Sequence, residues 1–343
     1  MHWNIAELQK RVISLENASK TINNPKELVS IKQDILTLKR MIDYINGVKK
    51  NASSYVTDEH RKKDINNDYL LSYLPYLSDA LTRFNNYIHL PWQVTFDKTI
   101  TEQEYCKLLN EFTESFSREF YIFFRKMVLS EHIELNKQKY SDSFCKGLAY
   151  PIASTGKPFV SARFNGHVKT TSFLLHELAH AFQMCDVTDY DKINSMLYSP
   201  LREAFPIFIE LLFLDFLKQT KYRKNAFAIE YDKLDSFLIS FEYVYPKVLQ
   251  LKDAKMINGT VILQSGDIIS NKEYTMLLSF VFAFYMLDLY RNDKKEAIKF
   301  IEMFNVNYKN ALELMWLNFV NANSLVVSSQ NVMSNYIRNY NKK

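Results

Sequence analysis

The residues in this chain best suited to chemistry are in Leu174-Leu175-His176-Glu177-Leu178-Ala179-His180. His176 and His180 are four positions apart, so on a helix their imidazoles project from one face, a turn apart. That spacing lets both bind one Zn²⁺ at about 2.0–2.1 Å. Glu177 stands beside them, placed to take a proton from a metal-bound water. Phe173, Leu174, Leu175, Leu178, Ala179, Ala181 and Phe182 surround the motif with apolar, helix-compatible residues. A polar triplet buried in such a helix is costly unless a metal binds and neutralises it. The plainer alternative is an amphipathic helix with two hydrogen-bonded histidines.

A single zinc needs a third protein ligand and keeps one position for water. The best candidate is Glu203, in Ser199-Pro200-Leu201-Arg202-Glu203-Ala204-Phe205-Pro206, where Ser199 and Pro200 predict a helix start. The polar segment Gln183 to Tyr198, with Asp186, Asp189 and Asp191, is expected to be a loop that returns this glutamate to the histidines. Glu210, seven residues on, is the competing ligand or a group orienting a histidine. A first-turn acid favoured by the helix dipole is the other reading of Glu203.

The elements that must position these groups are mainly helical. Apolar residues make up 47% of the 343 and aromatics 15%, with six glycines and eight prolines, a composition of a packed globular protein. Ile5, Leu8, Val12 and Leu15, then Leu28, Ile31, Ile35, Leu38, Ile42 and Ile45 after Asn23-Asn24-Pro25, predict a helical hairpin ending near Gly47. Packing within the chain is its default role. Residues 48–68 are polar, a linker or solvated helix. Tyr69–Leu90 and Glu102–Leu129 each predict a helix, the second long, amphipathic and aromatic. Gly147–Val168 is different: Gly147–Pro151, Phe159–Phe164 and the Asn165-Gly166 turn signal predict short strands just ahead of the zinc helix. Phe159, Val160, Ser161, Ala162 and Arg163 are expected to form a sheet edge that binds an extended peptide through its backbone. Helices are expected again over Ser199–Lys218, Lys224–Leu251, Asn271–Arg291 and Lys294–Met303, and from Tyr308 onward. Two regions are expected: an N-terminal helical region over 1–90 and a catalytic domain over 91–343.

The net charge of +5 is spread along the chain and interleaved with acids, which argues against a nucleic-acid partner. Cys106, Cys145 and Cys185 form no paired framework and fit a reducing compartment. The N-terminus has no signal-peptide pattern, and the apolar run near Leu277–Leu287 is too short to span a bilayer. These features predict a soluble, cytoplasmic protein without a membrane partner.

With these residues in view, the chain resembles the zinc oligopeptidases of the thimet oligopeptidase and oligoendopeptidase F family, from about Leu90 to about Asn321. Gly147-Leu148-Ala149-Tyr150 is similar to that family's Gly-x-Tyr segment. Pro158-Phe159-Val160, Asn165-Gly166 and Thr171 lead into His176–Gln183 in the same order, and Glu203-Ala204 with Glu210-Leu211-Leu212 looks like the third-ligand helix. The resemblance implies a two-lobed helical fold with a small sheet edge beside the zinc helix, and one Zn²⁺ per chain held by His176, His180 and Glu203. It also implies Glu177 as general base and proton carrier in the cleavage of short peptides. The chain departs from the pattern in its length, in Pro206 where a small hydroxyl residue is usual, and in Tyr274–Tyr285. That stretch has no histidine and lacks the family's tyrosine spacing, so Tyr274 and Tyr285 are the remaining candidate donors to the oxyanion.

The leading expectation is a zinc metallopeptidase acting on oligopeptides or flexible segments. The alternative is a zinc-containing peptide-binding or scaffold protein whose catalysis is weakened, since losing one oxyanion donor costs about 10²–10³ in rate.

Overall fold

In a computed structural model of the chain, the N-terminal hairpin forms as its pattern requires. The structure describes residues 3–48, 50, 52–55, 57, 98–136, 147–197, 201–248, 255–257, 260–262, 268–269, 271–306, 327–328 and 331–332. Asn4 and Asn24 open helices α1 (Ile5–Ser19) and α2 (Pro25–Ile45), their side chains accepting from Glu7 N at 3.3 Å and Lys26 N at 3.0 Å. Gly47, at φ +69°, closes α2: its N–H and that of Val48 bond back to the Tyr44 and Asp43 carbonyls, the left-handed cap that glycine adopts without a Cβ clash.

The hairpin packs within the chain, on one face of a three-stranded sheet. Strands β1 (Ile133–Asn136), β2 (Gly147–Tyr150) and β3 (Phe159–Arg163) lie in the order β1-β3-β2, β3 parallel to β1 and antiparallel to β2. Tyr150 and Phe159 are register partners that turn into the hairpin core with Trp3, Leu8, Val12, Ile31, Leu38 and Met41. Trp3 meets their rings edge-on, at 5.6 and 5.9 Å between centroids. Polar clasps add to this: Glu134 of β1 accepts the Trp3 N–H, and buried Asp34 accepts those of Ala153 and Ser154 at 2.9 and 2.7 Å.

The sheet corrects one expectation. Phe159–Arg163 is the central strand, not an edge. Val160 to Ala162 are paired with β1 on one side and β2 on the other, so their backbone groups are spent within the sheet and cannot add a peptide strand. Strand β1 went unforeseen because Ile133–Asn136 is too short to show a period.

The stretch expected as one long helix is two, α3 (Glu102–Phe116) and α4 (Arg118–Leu129). Ser117 is extended at φ −152°, ψ 138°, and its hydroxyl accepts from Phe120 N at 3.3 Å. Serine competes for backbone groups and favours such caps over helix interiors. The break brings Phe112, Phe116 and Phe120 together.

The chain forms two compact units, one of Met1–Lys63 with Thr99–Leu197, the other of Asp64–Lys98 with Tyr198–Lys343. The first also contains α5 (Thr171–Met184) and α6 (Tyr190–Leu197), the latter a short helix where a loop was expected. The second is built on α7 (Ala204–Leu217), α8 (Arg223–Val248), α9 (Asn271–Asn292) and α10 (Lys294–Val306). It also holds an unforeseen antiparallel sheet, β4 (Lys255–Ile257), β5 (Thr260–Ile262) and β6 (Ile268–Ile269). Helix α7 is buried almost all round, and Phe237 of α8 packs edge-on against Phe280 and Phe284 of α9. Expectations for 69–90 and for the segment from Tyr308, and the caps at Ser199 and Pro200, lie outside the described residues. No helix among the described residues is long and apolar enough to cross a membrane.

Candidate active site

Helix α5 carries His176, Glu177 and His180, as their spacing predicts. Ahead of it, Gly166 at φ +80° turns the chain, and Asn165 Oδ1 accepts from His167 N at 3.2 Å and Thr170 Oγ1 at 3.1 Å. The Tyr105 hydroxyl, from α3, donates to the Thr171 carbonyl at 2.9 Å. At the other end Phe182 packs edge-on against Phe120 and Phe123 of α4, at 5.0 and 5.3 Å. Leu174, Leu175, Leu178, Ala179 and Ala181 are fully buried, which fixes the rotation of α5.

That rotation leaves His176, Glu177 and His180 half-buried. The two imidazoles are 5.0 Å apart between centroids and nearly perpendicular, at 77°. One possible ligand atom each from His176, His180 and Glu203 lies within 4.8 Å of the other two. Ligand atoms about 2.0–2.1 Å from one tetrahedral ion are roughly 3.4 Å apart, somewhat closer than the 4.8 Å limit within which these atoms lie. Two imidazoles and a carboxylate are a donor set of the catalytic-zinc kind.

Glu203 immediately precedes α7, in the αR region, and its side chain makes no cap hydrogen bond to the helix. Arg202 Nε donates to Glu203 Oε1 at 2.9 Å, so this guanidinium engages the glutamate. Glu210, the competing ligand, is 1% exposed and paired with Lys233 of α8. It is not in the clustered set.

The side of α5 that bears Glu177 meets the sheet. A Cβ added to Gly147 of β2 would stand 2.5 Å from Glu177 Cγ, so the two are in direct contact. Among the residues expected to bind substrate, Phe159, Val160, Ser161 and Ala162 are buried and Arg163 is half-buried. Tyr274 lies on α9. Tyr285, also on α9, is half-buried, and burial with the nearby Glu296 and Asp288 carboxylates raises its hydroxyl above the usual tyrosine range.

The architecture matches solved structures. A candidate oligoendopeptidase F from Bacillus anthracis aligns over 92% of this chain with a TM-score of 0.56 and 15% identity. The chain has the oligoendopeptidase F fold. A second candidate oligoendopeptidase F aligns over 93% of the chain with a TM-score of 0.51 and 15% identity. A candidate peptidase from Chlamydophila abortus aligns over 98%, with a TM-score of 0.55 and 12% identity. This chain spans 64%, 66% and 62% of the lengths of those three. No protein-family model and no curated protein matches its sequence.

Proposed function

We propose that this chain is a zinc-dependent peptidase of the oligoendopeptidase F kind, hydrolysing peptide bonds in oligopeptides or flexible segments. One observation carries the reading: His176, His180 and Glu203 cluster within 4.8 Å, with Glu177 one residue from the first ligand. The shared fold supports it.

When bound, Zn²⁺ supplies a Lewis acid that polarises the scissile carbonyl and brings the pKa of a coordinated water toward about 7. His176 and His180 hold the ion from one face of α5, and Glu203 completes the protein ligands, oriented by Arg202. The Glu177 carboxylate accepts the proton of the attacking water and passes it to the leaving amine. Strand β2 takes over the aligning role expected of β3. It packs on α5, and among the described residues it pairs only on its β3 side, so its outer side is the edge available to an extended peptide.

The test is hydrolysis of a pool of short quenched peptides by the zinc-loaded protein, with Glu177→Gln alongside. Cleavage is expected to fall about 10²–10⁴-fold in the variant at unchanged metal content. Absence of cleavage by wild type, with one zinc per chain and retained peptide affinity, would instead support the binding-module reading, which the histidine-free stretch Tyr274–Tyr285 favours.

A further inference from the structure

Gly147 opens β2, and its backbone is not the reason it is glycine. It is not among the positive-φ residues, so any residue could adopt its conformation. A glycine weakens a strand and marks a place where something approaches closely. Here that something is Glu177. A Cβ at 147 would be 2.5 Å from Glu177 Cγ, 3.0 Å from Glu177 Oε1 and 2.9 Å from the Ser161 carbonyl oxygen, whereas unbonded carbons sit about 3.5–4.0 Å apart. Gly147 pairs with Ala162 and Ala149 with Val160, so by strand alternation these four small residues share the face toward α5. The other face carries Tyr150 and Phe159 into the hairpin core. Ser161 lies in the central strand, held from both sides, and cannot withdraw. Helix α5 is fixed by its buried leucines and alanines. The group left to move is the Glu177 side chain.

We propose that Gly147 is a positioning residue: its missing side chain is the slot that holds the Glu177 stem against β2 and sets where the carboxylate points. The catalytic consequence rests on the proposed role of Glu177 as proton carrier; the geometric coupling does not.

Two readouts test it. In Gly147→Ala, kcat should fall about 10²-fold, the loss expected of a 1 Å misplacement. KM should stay within about twofold, and zinc should remain at one per chain. A purely structural role would lower metal content and active fraction together, leaving kcat per zinc-loaded chain unchanged. Independently of activity, Tm is measured for wild type, Gly147→Ala, Glu177→Ala and the double variant. Glu177→Ala removes two of the three atoms that the new methyl meets, Cγ and Oε1, and leaves the Ser161 carbonyl oxygen, so the part of the Tm loss of Gly147→Ala that comes from Glu177 should disappear in that background. If Gly147→Ala does not fold, folding of the double variant is the same result. Equal Tm losses in both backgrounds, or wild-type kcat in zinc-loaded Gly147→Ala, overturn the proposal. A wild-type protein that cleaves nothing overturns the peptidase reading, and the Tm cycle still decides the coupling.

Discussion

Glu203 and Glu210 are seven residues apart, and sequence spacing alone leaves them as rival ligands. Their surroundings separate them. The Glu203 side chain is 15% exposed and shares one oxygen with the Arg202 guanidinium, an outer contact of the kind that orients a ligating carboxylate. Glu210 is buried and committed to Lys233. Replacing Glu203 by Gln is therefore expected to strip the metal, read as zinc content after gel filtration. Glu210→Gln should keep its zinc but lose stability, by about 3 kcal/mol for leaving Lys233 without its buried partner, read by urea titration. Zinc lost from Glu210→Gln and kept by Glu203→Gln would reverse the assignment. The histidines and Glu177 were legible because spacing on one helix places them without help from the rest of the chain. What Glu210 does was not, because its partner is 23 residues away on another helix.

Between elements, charge as well as apolar packing joins the helices of the second unit. Lys218, at the end of α7, pairs with Asp215 and with Glu230 of α8, and Asp215 is also held by Arg291 of α9. Burial outweighs the neighbouring Lys218 and lifts the Glu230 carboxyl from 4.5 to about 7. A carboxyl raised in the fold binds its proton more tightly there than in the unfolded chain. Its stabilising contribution is full below about pH 4.5 and is lost as pH rises to about 7. The Tm of wild type should fall relative to Glu230→Gln across that window; a flat or rising difference refutes the assignment. Ser117 offers a second test. Its hydroxyl caps α4, so Ser117→Ala should cost about 1 kcal/mol in chemical unfolding, against no change if α3 and α4 were one helix. Apolar periodicity runs through this break, since Phe112, Phe116 and Phe120 keep helical spacing across it. The cap at Ser117 is a local signal that the period hides.

At the scale of the whole molecule, the N-terminal hairpin belongs to the same compact unit as α5. It covers the face of the sheet opposite the one that meets Glu177. Trp3 is 6% exposed and wedged between Tyr150 and Phe159. Trp3→Ala is expected to cost about 3–5 kcal/mol and to lower the unfolding transition reported by α5, followed through hydrogen exchange of its amides. Unchanged protection in α5 would make residues 1–47 an independent appendage. The sequence by itself determined the mainly helical class, the hairpin, the strands ahead of α5 and the His-Glu-His face. Each of these follows from periods and caps that span a few residues. Only the tertiary structure decided that β3 is the central strand of its sheet, that Glu210 is committed to Lys233, and that Gly147 abuts Glu177. Strand order and contacts between distant segments depend on which backbone groups find partners across the fold, and neither is written in the spacing along one stretch of chain.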